Sequence, residues 1–89
     1  MKIEQLRDYR YHIRHPTAES FAGMAEVERF VKAIPNDYIR PMVSAYYIDG
    51  LTWSEVCAYC ARNMLPSTCR IYVNRYLASI GVEFPKAQK

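Results

Sequence analysis

Cys57, Cys60 and Cys69 crowd three sulfurs into one stretch of the chain, and His12 and His15 supply its two imidazoles. That inventory raises zinc chemistry first. A tetrahedral zinc site usually takes two ligand pairs at short spacing, and only Cys57 and Cys60 form such a pair here. Helical spacing gives the thiols another role. Trp53, Val56, Cys57 and Cys60 stand at i, i+3, i+4 and i+7, so both cysteines fall on the inner face of one helix, where a free thiol packs as a small hydrophobe. No metal and no cofactor is expected. Nor is an enzyme: there is no paired-acid motif, histidine-centred triad or glycine-rich phosphate loop.

The polar residues with a recognisable task lie further on. Between Glu55 and Glu83 there is no acid, while Arg62, Arg70 and Arg75 fall in that interval. A stretch of this sign suits an anionic partner although the whole chain carries only +3. Cys69, Tyr72, Val73, Tyr76, Leu77 and Ile80 make an apolar stripe at helical spacing. Removing it leaves Ser67, Thr68, Arg70, Ile71, Asn74 and Arg75 on the opposite face. Arginine is suited to guanine edges, asparagine to adenine edges, and hydroxyls to phosphate or base.

Helices must position these groups. The 89 residues are enough for one small domain, half of them hydrophobic, with eight tyrosines and only three glycines. Alternating β-branched runs are lacking, so the chain reads as all-α: a small bundle of about five helices with a C-terminal helix-turn-helix. A first helix over 2–14 places Ile3, Leu6 and Ile13 near one face with Tyr9 or Arg10 between them and Arg7 and Arg14 outside, and ends at His15-Pro16. A second, capped by Thr17, runs to about Ala33 with Phe21, Met24, Val27, Phe30, Val31 and Ile34 inward. After Pro35, a third carries Ile39, Met42, Val43, Tyr46 and Tyr47 and stops at Gly50, with Pro41 delaying its regular start to about Arg40.

Thr52 and Glu55 then form the T-x-x-E of a capping box, opening a short helix from Trp53 to about Ala61. Arg62 to Leu65 form a turn, and Pro66 fits the first position of the last helix. Residues 1–34 are expected to form a helical pair serving as brace or dimerisation surface, 35–82 the helix-turn-helix, and 83–89 a loose basic tail. Trp53, Tyr46, Tyr72 and Tyr76 are assigned to packing rather than to stacking on bases.

The stretch from Ala33 to Gly81 resembles the fourth region of bacterial sigma factors and, more closely, small phage and prophage transcriptional activators of the RinA and ArpU type. The residues that carry the resemblance are YIDGLTWSEV at Tyr47 to Val56 and STCR at Ser67 to Arg70, followed by Tyr76-Leu77. It covers a little over half the chain. It implies DNA binding and transcriptional control, with Thr52 and Ser54 near phosphate and Ser67, Thr68, Arg70, Ile71 and Asn74 facing bases. Pro41, the Asn63-to-Pro66 turn and Tyr76 depart from the family's pattern.

The expected activity is therefore sequence-specific recognition of double-stranded DNA by a helix at about 66–79. RNA polymerase is a candidate further partner, and a homodimer a candidate assembly. A protein-interaction module, or a DNA-packaging protein like a terminase small subunit, are the alternatives. No apolar run has the length of a signal peptide or membrane span, so the expected location is cytoplasmic, with reduced thiols.

Overall fold

The computed structural model describes residues 1–85, which fold as an all-helical bundle with no strand among them. The first predicted helix is divided at Asp8 into α1 (Ile3–Arg7) and α2 (Tyr9–Arg14). Its inner residues are Ile3, Leu6, Tyr9 and, half-buried, His12. A stripe taken strictly every third residue drifts by about 60° per step around a straight helix, and the division at Asp8 interrupts that drift. The expectation for Ile13 is corrected accordingly: it is 43% exposed, and His12 takes the inner position against Ser20 and Gly23 of the next helix.

Thr17 caps α3 (Ala18–Lys32) by accepting from the Ser20 amide at 3.0 Å. Val27, Val31 and Ile34 are buried as the spacing predicts, but Phe21 is 61% exposed. The inner site beside it belongs to Ser20, whose hydroxyl donates to the His15 carbonyl at 2.8 Å and so closes the α2–α3 corner. Lower down the pair, the Tyr9 hydroxyl donates to Glu28 at 2.6 Å.

Asn36 starts the third helix by accepting from the amides of Tyr38 and Ile39, each at 2.9 Å. Regular α4 (Ile39–Val43) then passes into a π turn over Ser44–Ile48. Pro41 has no amide to offer the carbonyl four residues back, that of Asp37, which lies at an exposed position. The π turn was not legible in the side-chain spacing. It fits more residues into each turn and so changes which face each one presents: Ala45 is buried alongside Tyr47, and Tyr46 is half-buried. Gly50 ends the segment with φ +76°, and the Leu51 amide reaches back to the Ala45 carbonyl at 3.0 Å.

Helix α5 (Trp53–Cys60) carries the expected capping box: the Glu55 amide donates to Thr52 Oγ1 at 3.2 Å and the Thr52 amide to Glu55 Oε1 at 2.9 Å. Helix α6 (Pro66–Ser79) begins with Pro66 in its first position. It ends in a Schellman turn at Gly81, φ +100°, with Val82 donating to Leu77 and Gly81 to Ala78 at 2.9 and 3.2 Å. Cys69, Val73 and Leu77 are fully buried, whereas Tyr72 and Ile80 are 39% and 38% exposed. The inner face of α6 is thus narrower than its apolar stripe.

The tail expected from residue 83 is tied down at its start. Glu83 pairs with the first residues of the chain, its amide donating to Met1 and its carbonyl accepting from Ile3, both at 2.9 Å. The rest of that tail, 86–89, lies outside the described residues. One core joins Ile3 and Leu6 of α1, Val27 and Val31 of α3, Met42 of α4 and Val73 of α6. Residues 1–34 therefore share their apolar interior with the helices that follow.

The two left-handed glycines separate backbone strain from crowding. A Cβ on Gly50 would lie 2.8 Å from Arg10 Nε, whereas one on Gly81 would meet nothing within 4 Å. Gly81→Ala is expected to cost about 1–2 kcal/mol of stability from the left-handed backbone alone. Gly50→Ala should cost more, because the Arg10 side chain must also move. Urea denaturation of the two variants measures the difference, and an equal loss would show that Arg10 yields freely.

Candidate nucleic-acid interface

The exposed surface of α5, its turn and α6 is set by how the turn is held. The Cys57 thiol, buried on α5, lies against the carbonyls of Ala61 (3.4 Å) and Met64 and has one proton to donate between them. A side chain that sequence spacing marks only as a small hydrophobe therefore also ties down the connection between the two helices. Cys69 lies against the Met42 sulfur at 3.5 Å, and burial raises its thiol pKa. No group of three His, Cys, Asp or Glu side chains suited to a metal gathers among the described residues.

Trp53 is half-buried and stacks on Tyr46 with ring centroids 4.0 Å apart and planes at 15°. This stack fixes the start of α5 against the π turn. Thr52 and Ser54 beside it are exposed, and the Thr52 oxygen already accepts from Glu55. Its hydroxyl proton is the part left to donate outward. Arg62 is exposed in the turn.

On α6, Ser67, Thr68, Arg70, Ile71 and Arg75 are all exposed, as the reading of that face requires. Asn74 differs. It is half-buried, and its Oδ1 accepts from the Tyr47 hydroxyl at 3.4 Å, a long bond that turns the amide partly inward. A second feature was not foreseen: Phe84, half-buried, borders the same shallow apolar depression as Ile71, Asn74, Arg75 and Ala78. The outward face of α6 thus has two parts. Ser67, Thr68 and Arg70 stand clear of the C-terminal segment, whereas Ile71, Asn74 and Arg75 share their surroundings with it.

Charge follows the same surface. Arg40–Asp37, at 2.6 Å, is the one ion pair among the described residues, so Arg62, Arg70 and Arg75 have no acidic partner there. Tyr38 lies 6.2 Å from Tyr72, ring to ring, on the α4 side of α6. Both rings are partly exposed, so the packing expected of Tyr72 is at the edge of the core and not within it. Cys69 meets Met42 of α4 and Val73, one turn on, is fully buried, leaving Tyr72 at the margin.

No family model, curated protein or solved structure matches the chain.

Two predictions test these contacts. Asn74→Ala removes the acceptor of a hydroxyl on a residue that is 5% exposed. The expected loss of stability is about 0.5–1.5 kcal/mol, read by urea denaturation, and Tyr47→Phe in the same background should recover part of it. The second concerns alkaline pH. Burial pushes the hydroxyls of Tyr47 and Tyr9 up to about 12, with the Glu28 carboxylate adding to the rise at Tyr9. The folded state holds these protons more tightly than the unfolded chain does. Their stabilisation is therefore complete below pH 10 and is lost as the pH climbs from 10 towards 12. A Tyr9→Phe, Tyr47→Phe protein should show a visibly shallower fall in melting temperature over that window.

Proposed function

We propose that this chain is a sequence-specific double-stranded DNA-binding protein, a regulator of phage or prophage type, that uses α5, the turn and α6 as a helix-turn-helix. In this reading α5 crosses the phosphate backbone at Thr52 and Ser54, and α6 enters the major groove. Ser67, Thr68, Arg70 and Ile71 read bases, while Arg62 and Arg75 meet phosphate. Asn74 contributes at the flank, through a contact that competes with Tyr47. RNA polymerase as a further partner and a homodimer on paired half-sites belong to the same proposal.

The observation that supports it best is the first half of α6. Four side chains suited to base edges, methyl groups or phosphate are exposed there together, on a helix packed against a capped partner and free of acidic neighbours in sequence. A solvated helix face of an unrelated protein needs no such exclusion of acids. The resemblance to sigma region four and to RinA- and ArpU-type activators supports the same assignment.

A mobility-shift assay at low salt, with random-sequence duplex, tests binding itself, and absence of a complex at micromolar protein would sink the proposal. On the preferred site, selected from random oligonucleotides, Arg70→Ala should cost about 1–3 kcal/mol and relax selectivity at one base pair. An equal loss on every sequence would assign Arg70 to phosphate instead.

A further inference from the structure

Between the N-terminal helices and the Gly50 corner lies a cavity of ≈ 410 Å³, whose walls include Arg7, Arg10, Tyr46, Tyr47, Gly50 and Thr52. Arg7 and Arg10 both line it, the Arg10 guanidinium beside Gly50, and no acidic residue does. Arg10 is anchored, its Nη1 donating to the Ile48 carbonyl at 3.0 Å, which leaves the rest of its fork unused. Arg7 is exposed and has no hydrogen-bond or ion-pair partner among the described residues. Paired guanidinium forks beside hydroxyl-bearing walls match the oxygens of a phosphate.

The cavity's position says which phosphate. Thr52 is at once its wall and the residue before α5, and Tyr47 is at once its wall and the partner of Asn74 on α6. It therefore adjoins the Thr52 end of the surface assigned above to DNA, and a buried tyrosine links it to α6. We infer that Arg7 and Arg10 form a seat for a backbone phosphate of the duplex, so that the N-terminal helices are part of the DNA-binding surface. This rests on the proposed function. A small phosphate compound would use the same chemistry, and the experiment separates the two sources.

The wild-type protein, Arg7→Ala and Arg7→Lys are titrated with duplex over a range of salt, with melting temperatures confirming that all three fold. Arg7→Ala should weaken binding by the same factor on every sequence and reduce the slope of log K against log salt by about 0.9, the value of one lost phosphate contact. Arg7→Lys should keep most of that slope. If the wild type binds duplex and Arg7→Ala leaves affinity and slope unchanged, the seat is overturned while the DNA-binding reading stands. If the wild type binds no duplex, both fall. Amide shifts at Gly50 and Thr52 on adding inorganic phosphate would then assign the cavity to a small phosphate compound.

Discussion

The left-handed corner at Gly50 is the constraint on which the rest of the molecule depends. The π turn delivers the chain there with one residue more per turn than an α-helix has, and a φ of +76° turns it sharply into the extended Thr52 that caps α5. A side chain at position 50 would collide with Arg10. The same arginine bonds the Ile48 carbonyl, so a residue of the N-terminal helices closes the corner from outside. The direction of α5, the Trp53–Tyr46 stack and the cavity beside them all follow from this one reversal.

From that corner the structure is held more by caps and packing than by charge. Thr17, Asn36 and Thr52 satisfy the first amides of their helices, and the Schellman turn at Gly81 closes the last one. The sole ion pair among the described residues, Arg40–Asp37, is on the surface and contributes little by itself. Every buried side-chain nitrogen and oxygen among the described residues has a partner. Arg10 and Arg40 are used within the fold, whereas Arg62, Arg70 and Arg75 enter no ion pair among the described residues.

The candidate surface was legible where a side chain's role depends on its own helix. Ser67, Thr68, Arg70, Ile71 and Arg75 follow from the α6 stripe, because residues opposite a buried Cys69–Val73–Leu77 line must face outward. Asn74 could not be placed this way. Whether it points outward or bonds Tyr47 depends on a hydroxyl brought from α4's continuation, 27 residues earlier. Phe84 was hidden because the chain after Gly81 comes back against α6, and the contact of Arg10 with the Ile48 carbonyl because it joins residues 38 apart.

The sequence by itself determined the helical class, the caps at Thr17 and Thr52, the stops at Gly50 and Gly81, and the burial of Cys57 and Cys69. All of these are local, set by backbone conformation and by a period of 3.6 residues. Tertiary structure alone decided the division at Asp8, the π turn, the exposure of Ile13, Phe21 and Tyr72, and the pairing of Glu83 with the first residues. These depend on which neighbour covers a given face, and a stripe of apolar residues states only that some part of it must be covered. Periodicity shows that a helix has an inner side. The breadth of that side is set by the helices packed against it.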